Sequence, residues 1–326
     1  MKYRLLGRTG LYVSELCMGT MTFGGAAGMW KIIGDLDQAA STALVKQAFD
    51  AGVNFFDTAN IYGFGAAETI TGAAIKQLGL PRDEVVIATK AYGIMKDKVV
   101  NAGGQSRYHL MHQLDASLQR LQLDHIDLYQ LHGYDPLTPL DEVLGTLDDM
   151  VRSGKVRYIG ASNYMAWQLA RANLLAEMHD WTPFVSIQNH YHMFERDLER
   201  EMIPYCNAHN VGILPFFPLA GGFLTGKYQR NEPAPAGSRG ESSAYVQAYM
   251  TPANYDKLDA LTAWAEARDH SMTELAHAWL LAQPQVSSVI SGATKLSHVQ
   301  SNAKGAAWAL SADELAEVNA ILGPLA

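Results

Sequence analysis

Four residues stand where their side-chain types could move a proton: Asp57, Tyr62, Lys90 and His132. Asp57, Lys90 and His132 each close a short apolar run, NFF, VVIAT and IDLYQL, and Tyr62 follows Asp57 by five residues. Taken singly, each has an ordinary explanation as a cap, a solvated cation or a hydrogen-bonded imidazole. Taken together, three apolar runs ending in an acid, a base and an imidazole would draw those groups to one end of a dry core. An ammonium buried there stays charged only if a carboxylate pairs with it. A phenol beside that ammonium is expected to have its pKa drawn below the usual value of about 10, because the positive charge favours the phenolate. Tyr62 would then be a proton donor near neutral pH. A second constellation, the H-x-H pair His190 and His192, has the spacing of metal ligands on one strand face. No further His and Asp cluster at strand ends accompanies it, so a metal-dependent barrel hydrolase is the weaker reading and no metal is expected.

Elements that could hold four such groups together follow from periodicity. The opening KYRLL and LYVSEL alternate in period two around Gly7-Arg8-Thr9-Gly10 and read as a β-hairpin. Beyond it, short apolar runs alternate with helical patterns: ELCMGT then 38–51, NFFDT then 66–78, VVIATK then 106–121, IDLYQLH then 139–153. The rhythm continues through VRYIGAS and 165–177, FVSIQNH and 196–209, GILPFFPL and a long segment, and SSVISGA and 297–307. Eight strand–helix units with no linker between halves predict a (β/α)8 TIM barrel, one domain over 1–326, with its site at the carboxyl ends of the strands. A doubly wound sheet would want G-x-G-x-x-G after its first strand, and MGTMTFGGAAG lacks that spacing. The connections 23–37 and 229–251, after the first and seventh strands, are long enough to be walls or lids of the site, or plain surface insertions. Phe23, Met29, Trp30, Tyr92 and Tyr134 lie in loops at that face and offer an apolar or aromatic substrate pocket, or pack a loop against the barrel.

Length and composition bound the rest. The 326 residues suit one large barrel or two domains, and 48% hydrophobic with 18% charged residues is ordinary globular composition. A net charge of −8 gives no basic field for nucleic acid or anionic lipid. Cys17 and Cys206, 189 positions apart in apolar surroundings, read as buried thiols of a reducing compartment, which points to the cytoplasm. The first residues carry no apolar stretch of a secretion signal, and the sequence has no run of 18 uninterrupted apolar residues. Neither membrane nor nucleic-acid partners are expected; oligomeric state is not legible.

The residues also resemble those of the aldo-keto reductases, over nearly the whole chain. The resemblance runs through GVNFFDTANIYG (52–63), VVIATK (85–90), IDLYQLHGYD (126–135), GKVRYIGASN (154–163), SIQNHYHMFER (186–196), GILPFFPLAGGFLTGKY (212–228) and SGATKLSHVQSN (291–302). It is strongest toward the longer-chain branch, with potassium-channel β-subunits and bacterial aryl-alcohol or sugar-aldehyde reductases. It implies reduction of a small carbonyl compound, or oxidation of the alcohol, by a nicotinamide cofactor. Asp57, Tyr62, Lys90 and His132 would form a catalytic tetrad, Tyr62 the general acid, Asp57 and Lys90 tuning it, and His132 orienting the carbonyl. The nicotinamide amide would meet Ser162, Asn163 and Gln188, and its ring would lie on Phe216. Phe217, Pro218, Leu219, Ala220, Gly221 and Lys227 would belong to the pyrophosphate belt. Gly292, Thr294, His298 and Asn302 would take the adenosine end, with Gly19, Thr20, Met21 and Asp57 completing the set.

This chain departs from the family's pattern in places that bear on cofactor choice. Phe217 replaces a frequent serine contact, Gly292-Ala293 replaces a Lys-Ser pair, and His298 stands where arginine is common. The resemblance implies NADPH over NADH, and Arg239, Lys227, Lys295 and His298 are the cations available for a 2′-phosphate, Arg239 first. An alternative within the resemblance is a nucleotide-sensing regulatory subunit with slow turnover.

Overall fold

The computed structural model describes residues 1–25 and 28–325, without the side chains of Met29 and Ile32. A hairpin of β1 (Tyr3–Leu5) and β2 (Tyr12–Ser14) precedes eight parallel strands: β3 (Leu16–Gly19), β4 (Phe55–Asp57), β5 (Val86–Ala91), β6 (Ile126–Leu131), β7 (Val156–Ser162), β8 (Ser186–Gln188), β9 (Gly212–Ile213) and β10 (Val289–Gly292). From β3 to β9 each strand pairs with the next, and β10 pairs with β3, Gly292 opposite Gly19. The seam between β9 and β10 is closed by backbone bonds from Ser287 to Ile213 at 3.0 Å and from Ile290 to Pro215 at 2.9 Å. The sheet is thus the (β/α)8 barrel, and the long apolar runs are its strands because both faces of a parallel strand are covered.

The helices, in chain order, are α1 (Gly28–Ile33), α2 (Gln38–Asp50), α3 (Ala66–Leu78), α4 (Arg107–Leu121), α5 (Leu140–Arg152), α6 (Ala166–Met178), α7 (Met202–His209), α8 (Arg239–Ser242), α9 (Ala244–Gln247), α10 (Pro252–Glu266), α11 (Met272–Leu281), α12 (Leu296–Ala307) and α13 (Ala312–Leu322). Helix α5 shows why they form: Leu140, Val143, Leu144, Leu147 and Met150 repeat at three- and four-residue spacing and all are buried. Capping boxes start α11 at Ser271 with Glu274 and α13 at Ser311 with Glu314. The helix expected over 196–209 is shorter. Pro204 would clash with the carbonyl four residues before it in a helix that long, so a 3-10 turn at Asp197–Glu199 precedes α7 instead. Neither long connection is featureless: 23–37 carries α1, and 229–251 carries α8 and α9.

Strand alternation divides the barrel interior into a floor and a mouth. Cys17, Phe55, Ala88, Leu128 and Leu214 form the apolar floor, joined by Leu6 and Val13 of the hairpin, which plugs the amino-terminal end. Two residues further along the same strand faces come Gly19, Asp57, Lys90, Gln130 and Phe216. Gly7, at φ +54, lets the hairpin turn touch the barrel rim, since a Cβ there would run into the Val185 carbonyl and the Gly212 amide. Arg4 bonds Glu15 at 2.7 Å and the carbonyls of Val286 and Leu281 at 2.9 and 2.8 Å, which ties the hairpin to the chain ahead of β10. Both cysteines are buried and free. Among the described residues no helix is long and apolar enough to cross a membrane.

Because Leu6 is fully buried in the plug, Leu6→Ala should cost about 3 kcal/mol of stability through lost burial and a residual cavity. Urea denaturation measures this; a change below about 1 kcal/mol would show that the plug is dispensable.

Candidate active site

Asp57, Tyr62, Lys90 and His132 meet at the carboxyl ends of β4, β5 and β6. Lys90 Nζ is fully buried. It donates to Asp57 Oδ2, to the Thr58 carbonyl at 2.8 Å and to Tyr62 Oη at 3.3 Å. Asp57 Oδ1 accepts from Gln130 Nε2 and from Gln188 Nε2, both at 3.0 Å. The carboxylate therefore has a donor on each oxygen, and the ammonium has three acceptors, as a buried pair requires. The rings of Tyr62 and His132 meet edge to face with centroids 5.6 Å apart. Tyr62 starts a 3-10 turn, Tyr62–Gly65, that swings the phenol back over Lys90.

The electrostatics correct one expectation. Burial holds the Tyr62 phenol above its usual pKa, and the lowering by Lys90 does not overcome it. The phenol is a protonated donor at rest and does not ionise near neutral pH. Burial pulls the Lys90 ammonium down, but Asp57 and then Tyr62 outweigh it, so its pKa ends above the ordinary value. Burial, with Lys90 adding, drives His132 down to about 3, so its imidazole is neutral at any working pH.

Trp30 of α1 packs against Tyr62 with ring centroids 5.7 Å apart, and Phe64 meets Trp30 edge-on at 6.4 Å. Phe23 is 0% exposed and packs the 23–37 connection against the barrel, so it lines no open pocket. The ring of Tyr92 borders Gly133, and Tyr134 packs edge-on against Tyr164 at 5.2 Å and Trp167 at 6.1 Å. Met29, also expected here, lies outside the described side chains. A cleft of about 600 Å³ lies elsewhere, lined by Arg8, Asn173, Trp181, Tyr205 and His209 beside α6 and α7, and holds none of these four groups.

The aldo/keto reductase family model matches residues 15–322. The chain belongs to that family. It is 36% identical to the uncharacterized oxidoreductase YrpG of Bacillus subtilis, over 99% of this chain and 97% of that one. It is 33% identical to versiconal hemiacetal acetate reductase of Aspergillus parasiticus, covering 90% of each, and 35% identical to a candidate voltage-gated potassium channel subunit beta of Schizosaccharomyces pombe, covering 93% and 87%. This aldo/keto reductase is thus an oxidoreductase of barrel fold.

Residues expected to hold a nicotinamide dinucleotide surround the mouth of the reductase barrel. Gly19 lies opposite Asp57 across the first two barrel strands, Thr20 donates its backbone N–H to the Asp57 carbonyl at 2.9 Å, and Met21 is partly buried beside them. Ser162 accepts from Asn163, which also bonds the His132 carbonyl at 2.9 Å. Gln188 has committed its Nε2 to Asp57 and Gln130, so only its Oε1, without a partner among the described residues, is left for a carboxamide. Phe216 stacks one face on His190 at 5.5 Å and 16°, leaving the other face for a planar ring. Phe217, Ala220, Gly221 and Gly222 all have positive φ, which curls the segment around Pro218 and Leu219 into a tight arc. Gly222, at φ +101, holds a backbone conformation that L side chains rarely adopt, so glycine suits the end of that arc.

At the far end Thr294 donates to His298 at 3.4 Å, and Lys295 and Lys227 help hold His298 below its usual pKa after burial. Gly292 is exposed there. Asn302 of α12 is 3% exposed and lines a small buried cavity with Ser291, Ala293 and Val299. Arg239 donates to the Ile33 carbonyl at 3.2 Å and has no carboxylate partner among the described residues. Burial keeps its guanidinium below the ordinary value. Arg239, without a carboxylate partner among the described residues, and the separate group of Lys227, Lys295 and His298 are the cations that a phosphate-bearing cofactor could meet.

His190 and His192 are not built as metal ligands. His190 bonds Tyr245 Oη and stacks on Phe216, His192 Nδ1 accepts from the Phe194 amide, and no three His, Cys, Asp or Glu side chains among the described residues converge there. Gln130 is the site residue that the sequence reading missed. Its signal was available: it is the polar residue two positions before His132 in an apolar strand, hence on the same inward face.

Lys90→Met should destabilise the fold by about 3–5 kcal/mol, because it leaves the Asp57 carboxylate buried and unpaired. Adding Asp57→Leu should recover most of that loss in urea denaturation. Additive losses would mean that the two groups are not a coupled pair.

Proposed function

We propose that this aldo/keto reductase reduces aldehydes or ketones to alcohols, and runs the reverse, as an NADP(H)-dependent enzyme with Tyr62 as the proton donor. The observation that carries the reading is the buried phenol held 3.3 Å from the Lys90 ammonium, itself locked by Asp57. Bound nicotinamide would supply or take up the hydride at the carbonyl carbon. Tyr62 Oη gives its proton to the carbonyl oxygen, and the Lys90 ammonium stabilises the phenolate left behind. Neutral His132 presents an N–H to the same oxygen and orients it. Ser162, Asn163, the Gln188 carbonyl and the Phe216 face would hold the nicotinamide end. Gly19, Thr20, Met21, Phe217 to Gly221 and Lys227 would follow the pyrophosphate, and Gly292, Thr294, His298 and Asn302 the adenosine. Trp30, Tyr92 and Tyr134 would border the substrate. Two buried free thiols favour a reducing, cytoplasmic setting, with one domain and small carbonyl or alcohol substrates as partners.

Tyr62→Phe should lower kcat at least 100-fold with NADPH affinity intact, measured at 340 nm against a carbonyl panel. Unchanged kcat with chemistry rate-limiting rejects the assignment, and NADPH binding without turnover of any carbonyl turns the reading to a regulatory subunit. The pH dependence has a definite sign. Reduction needs the protonated phenol, whose pKa lies above 10, so kcat should hold from about pH 6 to 9 and fall only beyond about pH 10. No inflection near pH 6.5 should arise from His132, which is neutral above about pH 4; a kcat that drops through pH 6–7 overturns both roles.

Arg239 supports the choice of NADPH. Hydrogen bonds to charged groups contribute about 1.5–3 kcal/mol, so Arg239→Ala should weaken NADPH roughly 10- to 100-fold and leave NADH nearly unchanged. Equal weakening of both would move Arg239 to the shared adenine or pyrophosphate.

A further inference from the structure

Immediately after Tyr62 the chain makes three consecutive left-handed residues: Gly63 at φ 55, Phe64 at φ 53 and Gly65 at φ 98. Glycine suits the first and third positions, where the left-handed backbone and close neighbours both disfavour a side chain. A Cβ on Gly63 would press on the Gly24 carbonyl and Ala66, and one on Gly65 on the Arg120 side chain. Position 64 has no such demand, and glycine or asparagine would sit there without the steric cost that a left-handed phenylalanine bears. Yet the residue is Phe64, 60% exposed, with its ring edge-on to Trp30 at 6.4 Å. A strained, solvent-facing aromatic is unfavourable locally, both for its backbone and for its exposed ring. Among the described residues its ring partner is Trp30, which packs on the phenol of Tyr62 at 5.7 Å.

We propose that Phe64 is a specificity-determining residue, one wall of a two-ring corner with Trp30 that receives a planar aryl group attached to the reacting carbonyl. The two ring planes stand at 83°, so a flat substituent stacked on one ring presents its edge to the other, the arrangement in which aromatic pairs attract. The corner adjoins Tyr62, so the aryl group and the carbonyl belong to one small molecule. The left-handed backbone at position 64 sets the ring outside the core and against Trp30. The inference rests on the reading that Tyr62 marks the reacting carbonyl.

The test compares wild type with Phe64→Gly, Phe64→Asn and Phe64→Tyr, using 2-naphthaldehyde and butanal with NADPH, and records Tm. Glycine and asparagine relieve the left-handed strain and remove the ring, so Tm should hold or rise. The ratio of kcat/KM for 2-naphthaldehyde to that for butanal should fall about three- to tenfold, carried by KM for the aryl substrate. Phe64→Tyr should keep the wild-type ratio. A lowered Tm with an unchanged ratio in both ring-deleted variants overturns the proposal and makes Phe64 a structural support for Trp30. If wild type reduces neither aldehyde, the carbonyl-reduction reading fails separately. Calorimetric titration of 2-naphthaldehyde with NADP+ present then decides this inference: binding weakened about three- to tenfold in the glycine variant supports it, and equal or absent binding overturns it.

Discussion

The pairing of Lys90 with Asp57 inside the barrel is the constraint that organises the mouth. Neither group reaches water, so each charge needs its whole shell supplied by protein. Asp57 takes donors from β5, β6 and β8, and Lys90 also reaches the Thr58 carbonyl and Tyr62. Three side chains, Tyr62, Gln130 and Gln188, and one backbone carbonyl are therefore oriented by a single ion pair. Gln130 and Gln188 belong to the site for this reason, since a carboxylate with an unfilled oxygen at that depth would be costly. The phenol that completes the shell sits between two opposed influences, the ammonium that favours its ionisation and the burial that resists it, and burial prevails.

Below that layer the interior is apolar and closed by the hairpin; above it the walls are connections held by a few directed contacts. Arg239 ties α8 to the end of α1 through the Ile33 carbonyl. Tyr245 of α9 reaches His190, and Phe217 packs against both at 5.2 and 5.7 Å. Phe217 thus belongs to an aromatic seam that docks the long connection after β9. The closed apolar floor and the Lys90–Asp57 layer above it are densely packed, whereas the walls are connections held by few contacts, the usual division between a scaffold and the loops that meet ligands.

Four of the ten non-glycine residues with positive φ among the described residues, Phe64, Asn163, Phe217 and Ala220, lie in or beside the candidate site. Such conformations persist only where surrounding contacts over-determine them. Asn163 shows how, with its amide tied to the His132 carbonyl and to Ser162, whereas Phe64 has far less to hold it.

Periodicity was enough to read the barrel, because parallel strands buried on both faces and amphipathic helices leave different spacings of apolar residues. The same logic brought Asp57, Lys90 and His132 together: strands of one parallel barrel end at one face, so residues closing successive runs must converge. The short helix at Met202–His209 was obscured by helical patterning upstream of a proline, and α8 and α9 are too brief to leave a period. What the tertiary structure alone decided were the outcomes of competition between opposing effects at particular distances. Whether Tyr62 is raised or lowered depends on how far burial exceeds the field of a cation 3.3 Å away. Whether Phe23 or Trp30 borders the phenol depends on how one connection folds over the mouth, and whether Arg239 is paired depends on which carboxylates that fold leaves within reach. Residue type and spacing specify which groups can meet; only the packed arrangement specifies the dielectric, the distance and the partner.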